Sequence, residues 1–161
     1  MSWGDYGMLF VFIALCTVAA SSGAMFKPDA WYQALKKPWW NPPNWVFPVV
    51  WTPLYAMIAV AGWFVWLEAG FAGAALPLTF YVLQLILNAL WSALFFGAKR
   101  IDWALTEVGL LWLAIATCVV TFWPISQAAA LLMLPYLLWV TIAAYLNYTV
   151  LKLNPSAAQA A

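Results

Sequence analysis

Residues 37–55 read KPWWNPPNWVFPVVWTPLY, with five prolines and four tryptophans (Trp39, Trp40, Trp45, Trp51) in nineteen positions. Lys37-Pro38 and Asn41-Pro42-Pro43 exclude a regular helix there, because each proline removes a donor and pushes its predecessor toward extended geometry. From about Asn44 the chain turns apolar for more than twenty residues, interrupted only by Pro48 and Pro53. A membrane helix tolerates such prolines, since neighbouring groups re-satisfy the freed carbonyls. The stretch therefore reads as a stiff aromatic loop feeding a membrane span, a lid at a helix entrance. The alternative is an interfacial anchor before a kinked span, because tryptophan gathers at the headgroup level in any case.

Working outward, the 161 residues are 68% hydrophobic and 7% charged, with a mean hydropathy of +0.91. Soluble domains carry roughly 25% charged residues, so the composition is that of an integral membrane protein. No basic n-region precedes Phe10, and the first apolar run reads as a retained span, not a signal peptide. Apolar runs of about 20 residues, long enough to cross ~30 Å of hydrocarbon, fall at 6–26, 45–67, 76–97, 103–123 and 128–151. The runs are continuous and lack the alternation of a barrel strand. The expected fold is thus all-α, one domain over 1–161, a five-transmembrane-helix bundle with a lid loop at 27–44. Residues 154–161 form a short tail without a motif.

All six basic residues fall in the first loop (Lys27, Lys36, Lys37), the third (Lys99, Arg100) or after the last span (Lys152). The positive-inside rule then puts the first loop, the third loop and the C-terminus on the cytoplasmic side and the N-terminus opposite. The chain has no histidine, and Cys16 and Cys118 stand alone in apolar runs. Metal sites, axial histidine ligation and a disulfide framework lack material, and no basic cluster points to nucleic acid. No catalytic constellation is present.

Helical spacing sets residues on common stripes: Trp51, Tyr55, Ala59, Gly62 and Trp66; Gln84, Asn88 and Trp91 with Ser92; Tyr136, Trp139, Ala143, Leu146 and Asn147. Aromatic faces with a few amides suit a pocket for a flat, apolar ligand with polar edges; an aromatic-rich core is the other reading. Ala89, Ala93 and Gly97 repeat a small residue for close packing, within the chain or between subunits. Glu107 stands one turn inside its span, a functional-site candidate unless it snorkels to Lys99 or Arg100. Pro135 is expected to kink its helix. Leu146, Tyr148 and Lys152 fit a proposed sterol-contact pattern, which is weak alone.

Taken together, Trp31-Tyr32, Lys37-Pro38, Trp40, Pro42-Pro43, Trp45, Trp51 with Leu54-Tyr55, Gln84, Asn88, Phe95-Phe96-Gly97-Ala98-Lys99, Trp103-Ala104-Leu105, Pro135-Tyr136-Leu137, Trp139 and Leu146-Asn147-Tyr148 resemble the translocator protein family, the TspO or tryptophan-rich sensory proteins. The resemblance implies a five-helix bundle, commonly a homodimer, whose first loop closes over a pocket. The implied ligands are protoporphyrin IX and haem-related tetrapyrroles, sterols, and benzodiazepine-type drugs; no obligatory cofactor is implied. By position the pocket would be lined by Ser21, Ala24, Tyr32, Trp40, Pro42, Phe47, Val50, Trp51, Asn88, Trp91, Trp103, Leu110, Trp139, Ala143 and Leu146. Trp51 and Trp139 match tryptophans linked in some relatives to light-dependent porphyrin breakdown. Receptor or transporter, enzyme-like degradation and regulatory scaffold are the three functions in competition.

Overall fold

The computed structural model describes residues 3–157; Met1, Ser2 and the tail residues 158–161 lie outside the described residues. Five long helices account for most of the chain: α1 (Trp3–Met25), α3 (Val46–Gly73), α4 (Ala75–Ser92), α5 (Ile101–Phe122) and α6 (Gln127–Leu153), with a short α2 (Ala30–Ala34) in the lid. A π-helical turn, Ala93–Gly97, continues α4. No strand occurs among the described residues, and α1, α3, α4 with its π turn, α5 and α6 are each long and apolar enough to cross a membrane. The five-helix expectation holds.

The helices form a closed ring in which α1 lies beside α3 and α4, α3 beside α6, α6 beside α5, and α5 beside α4. Inside it Phe12, Cys16, Ile58, Tyr81, Ile115, Phe122, Met133, Tyr136 and Val140 are buried. Phe10, Val18, Val120 and Leu138 point outward, an apolar exterior that hydrocarbon solvates as well as leucine solvates itself. Close approach is needed at Gly62, where a Cβ would stand 2.7 Å from the Tyr81 ring and 2.8 Å from Phe12.

The second loop, expected at 68–75, is mostly helical. Helix α3 runs on to Gly73, past residue 67, and breaks locally at Gly70 (φ 64°, ψ −174°). Glycine reaches positive φ without a Cβ penalty, so the chain turns there while Ala, Phe and Gly neighbours keep helical geometry. Helix α6 passes through Pro135 as one helix. At the third connection Lys99 takes a left-handed φ of 57°, which allows the short passage from the π turn into α5.

Candidate functional site

The lid is fastened at several points. The Asp29 carboxylate caps α2 by accepting from the Tyr32 N–H at 3.1 Å and pairs with Lys99 at 3.1 Å. That N–H and the Lys99 ammonium hold the Asp29 carboxyl below its ordinary range. The other end of α2 is closed by Lys37, whose ammonium donates to the carbonyls of Tyr32 (2.7 Å), Leu35 (3.0 Å) and Gln33 (3.3 Å). Asn154, just past α6, then takes the Lys36 backbone in both directions, Lys36 N–H donating to Oδ1 at 2.9 Å and Nδ2 donating to Lys36 C=O at 2.8 Å. Tyr32 is buried against Phe95 and Phe96, and burial pushes its phenol up. The first loop is therefore docked on the bundle through Asp29, Tyr32, Lys36 and Lys37, while Trp39 and Trp45 stand exposed, as an interfacial anchor would.

Beneath it, rings and amides interlock. Trp51 stacks near Tyr55 (centroids 5.3 Å) and meets Tyr136 edge-on (5.9 Å); Phe47 meets Trp139 edge-on (6.1 Å). Trp91 stacks on Phe95 and its indole N–H donates to Asn147 Oδ1 at 3.1 Å, while Asn147 Nδ2 donates to Ile101 C=O at 3.0 Å. A directional chain crosses the bundle: Tyr55 OH donates to Asn88 Oδ1 (2.5 Å), Asn88 Nδ2 to Tyr136 OH (2.8 Å), and Tyr136 OH to Gln84 Oε1 (2.9 Å). It ends on Gln84 Nε2, buried without a partner. Such an array offers stacking faces and one unfilled donor, which suits a flat acceptor-bearing ligand better than bond-making chemistry.

Of the residues expected to line the pocket, Tyr32, Phe47, Val50, Trp51, Asn88, Trp91, Trp139, Ala143 and Leu146 are buried or half-buried. Trp40 and Pro42 are half-buried at the rim, Trp40 stacked on the exposed Tyr145 at 5.5 Å. Four residues are not brought to the network. Ser21 and Ala24 lie exposed on α1, the Ser21 hydroxyl turned back onto Val18 C=O. Trp103 (58% exposed) and Leu110 (54%) stand on the outer face of α5, with Arg100 over the Trp103 ring. Tyr55 and Tyr136, absent from that set, are its polar partners; both stand on the inward stripes, one helical turn from Trp51 and Trp139 respectively.

Two further expectations resolve. Glu107 does not snorkel: Lys99 pairs with Asp29 and Arg100 with Asp102, while Glu107 is 5% exposed with both oxygens unpartnered. The small-residue face is used within the chain at two of its three positions, Ser22 Oγ donating to Ala89 C=O and Phe26 lying 2.8 Å from where a Gly97 Cβ would be. Leu146, Tyr148 and Lys152 occupy the end of α6, with Lys152 over the Tyr148 ring at 5.6 Å. A groove of about 560 Å³ lies away from the lid, on the outward face of α4 along Leu78, Val82 and Ile86.

Residues 12–153 match the model of the TspO/MBR family. The chain belongs to that family. Over 150 residues it is 43% identical to the tryptophan-rich sensory protein of Cereibacter sphaeroides, covering 93% of each chain. It is 42% identical to protein CrtK of Rhodobacter capsulatus, covering 90% of this chain and 91% of that one. The human translocator protein is 40% identical over 126 residues, 77% of this chain and 75% of that one. As a TspO/MBR protein with five apolar helices, the chain is an integral multi-pass membrane protein.

Proposed function

We propose that this TspO/MBR protein is a membrane receptor or carrier for flat, largely apolar ligands, tetrapyrroles such as protoporphyrin IX first among them, taken up beneath the lid. The observation that carries this reading is the Trp51–Tyr55–Asn88–Tyr136–Gln84 array, which combines ring faces with a buried amide donor that lacks an acceptor. A porphyrin would displace ring-on-ring contacts with contacts of the same kind over a larger face. Its carbonyl or carboxylate edges would supply the acceptor that Gln84 Nε2 lacks. Sterols are a second ligand class, with Leu146, Tyr148 and Lys152 on the lid-proximal end of α6 as their contact.

Charge distribution supports a cytoplasmic lid. Lys36 and Lys37 lie in the lid, Lys99 is paired to it, and Arg100 and Lys152 stand at the same end of the bundle. A homodimer would use faces other than the Ala89–Gly97 strip, which Ser22 of α1 meets at Ala89 and Phe26, just past α1, meets at Gly97. Light-dependent porphyrin breakdown is favoured by one feature, the closeness of the Trp51 indole to the Tyr55 and Tyr136 phenols.

The test is a dark titration of the purified protein with protoporphyrin IX, read by tryptophan fluorescence. Saturable quenching that weakens at least tenfold in Trp51→Ala/Trp139→Ala is the expected result; equal affinity in both proteins would refute the reading. Illuminating the same sample separates the alternatives: a stable porphyrin spectrum belongs to a receptor or carrier, and loss of its bands to degradation.

A further inference from the structure

Glu107 is buried to 95% of its surface, since 5% is exposed, and neither oxygen has a hydrogen-bond partner. Helix α5 has two long neighbours, α4 and α6. Trp112 Nε1 donates to Thr141 of α6, and five residues at 3.6 per turn put Glu107 about 140° around α5 from Trp112. The acid therefore lies on the α4 side. Counting from Lys99, it is eight residues into the hairpin, level with Trp91 eight residues back, about 12 Å from the turn at 1.5 Å per residue. Near that level α4 passes into its terminal π turn, Ala93–Gly97.

Among the described residues the indole, amide and cationic donors nearest that level are engaged elsewhere, and the Ser92 hydroxyl faces Gly23 of α1. Trp91 Nε1 and Asn147 Nδ2 serve Asn147 Oδ1 and Ile101 C=O, Lys99 serves Asp29, and Arg100 serves Asp102. From α4 the one titratable side chain is Tyr81, bonded to Ile58 C=O and Cys16 at a more distant level; the π turn has none. From α6 come Tyr136, committed to Gln84 and Asn88, the exposed Tyr145 and Tyr148, and Lys152 over Tyr148. On α5 itself Asp102 is paired and Cys118 is buried three turns away. An isolated carboxylate in hydrocarbon is strongly disfavoured, and an acid so placed sheds its charge instead.

We propose that Glu107 is an intramembrane proton-binding site of the α4–α5 seam: the closed seam holds the neutral acid, and the proton leaves only when the seam parts beside the π turn and admits water. The ligand of this site is the proton, and Glu107 makes no hydrogen bond to the ring-and-amide array under the lid. No part of the proposal depends on which molecule that array binds.

The experiment uses the full chain in lipid bilayers. Infrared spectra at neutral pH, with and without carboxyl-¹³C glutamate, report the protonated-acid carbonyl stretch of two residues, Glu68 and Glu107; Glu68 is exposed. A ¹³C-sensitive neutral-acid band at neutral pH, lost in Glu107→Gln, is the expected result. Absence of that band at neutral pH, or its appearance only at mildly acidic pH together with those of the exposed carboxylates, overturns the proposal. Dicyclohexylcarbodiimide provides a readout that needs no variant. The acid adds across one C=N bond, its proton going to nitrogen and its oxygen to the central carbon, and the acyl group then migrates to nitrogen with nothing leaving. Peptide mass mapping should find the adduct on Glu107 and not on Asp5, Asp29, Glu68 or Asp102. Equal modification of those exposed or interfacial acids would count against the site.

Discussion

Replacing Tyr136 by Phe removes one oxygen from the centre of the bundle. That hydroxyl is fully buried, accepts from Asn88 Nδ2 at 2.8 Å and donates to Gln84 Oε1 at 2.9 Å. The ring and its edge-on contact with Trp51 stay, so the change isolates polar energy. Interhelical hydrogen bonds in membranes average about 0.6 kcal/mol and reach about 1.7, which gives about 1–3 kcal/mol for the two. Leaving a buried polar group unpaired costs about 1–3 kcal/mol, and here Asn88 Nδ2 and Gln84 Oε1 are stranded together with an already unpartnered Gln84 Nε2. The expected loss is about 2–3 kcal/mol, a factor of roughly 30 to 150 in the folded-to-unfolded ratio. Reversible unfolding of the detergent-solubilised protein by a denaturing surfactant, followed by tryptophan fluorescence, measures it. Adding Gln84→Leu should restore part of the loss, since it removes two of the stranded atoms and puts apolar volume in their place. A loss under about 0.5 kcal/mol for Tyr136→Phe, or a further loss on adding Gln84→Leu, would refute the reading of this chain as a closed, desolvated network.

Three other outcomes follow from the same geometry. Asn154→Ala removes both hydrogen bonds to the Lys36 backbone and should raise amide exchange across 30–40 at least tenfold, with the centres of α5 and α6 unchanged; uniform exchange in all regions would contradict a local latch. Asp29 has a lowered folded pKa, so its cap and its pairing with Lys99 are present above the unfolded value near 4 and are lost as pH falls through the folded one; lid protection factors, which remove the intrinsic pH dependence of exchange, should fall on acidification in the wild type and be insensitive to it in Asp29→Asn. Gly62→Ala sets a Cβ 2.7 Å from Tyr81 and should cost about 1–3 kcal/mol as overpacking, whereas Gly7→Ala, with nothing within 4 Å, should leave the melting temperature within about 2 °C.

The five spans are legible because hydrocarbon leaves few alternatives: runs of about 20 apolar residues must pair their backbone internally. The lid is legible from its prolines, which exclude helix at 38 and 42–43. Helix α3 overruns its expected end because alanine and glycine at 69–73 hold helical geometry as readily as loop, and hydropathy does not register the single break at Gly70. Gln84, Asn88 and Asn147 stand out in an apolar sequence, yet their partners Tyr136, Tyr55 and Trp91 depend on how far each helix is rotated, which a stripe fixes only to within a neighbouring position. Trp103 and Leu110 show the same limit, carried inward by resemblance and outward by the rotation of α5. Glu107 defeats a snorkelling argument for another reason: both nearby cations find closer carboxylates at the interface.

The lid and the bundle interior are also one contact system. Tyr32 packs on Phe95 and Phe96, both rings meet Trp91, and the Trp91 indole holds Asn147, which in turn holds the first carbonyl of α5. Lifting the lid thus uncovers the rings that position Trp91, and it does so beside the π turn, where the helix is least regular. On the function proposed above, admission of a flat ligand would further require the Phe47–Trp139 and Trp51–Tyr136 contacts to part, and aromatic pairs contribute about 0.5–1.5 kcal/mol each. A tetrapyrrole of the kind proposed would replace those contacts with ring contacts of the same kind. On that proposal the bundle would open for a ligand without breaking the Tyr55–Asn88–Tyr136–Gln84 chain that links α3, α4 and α6.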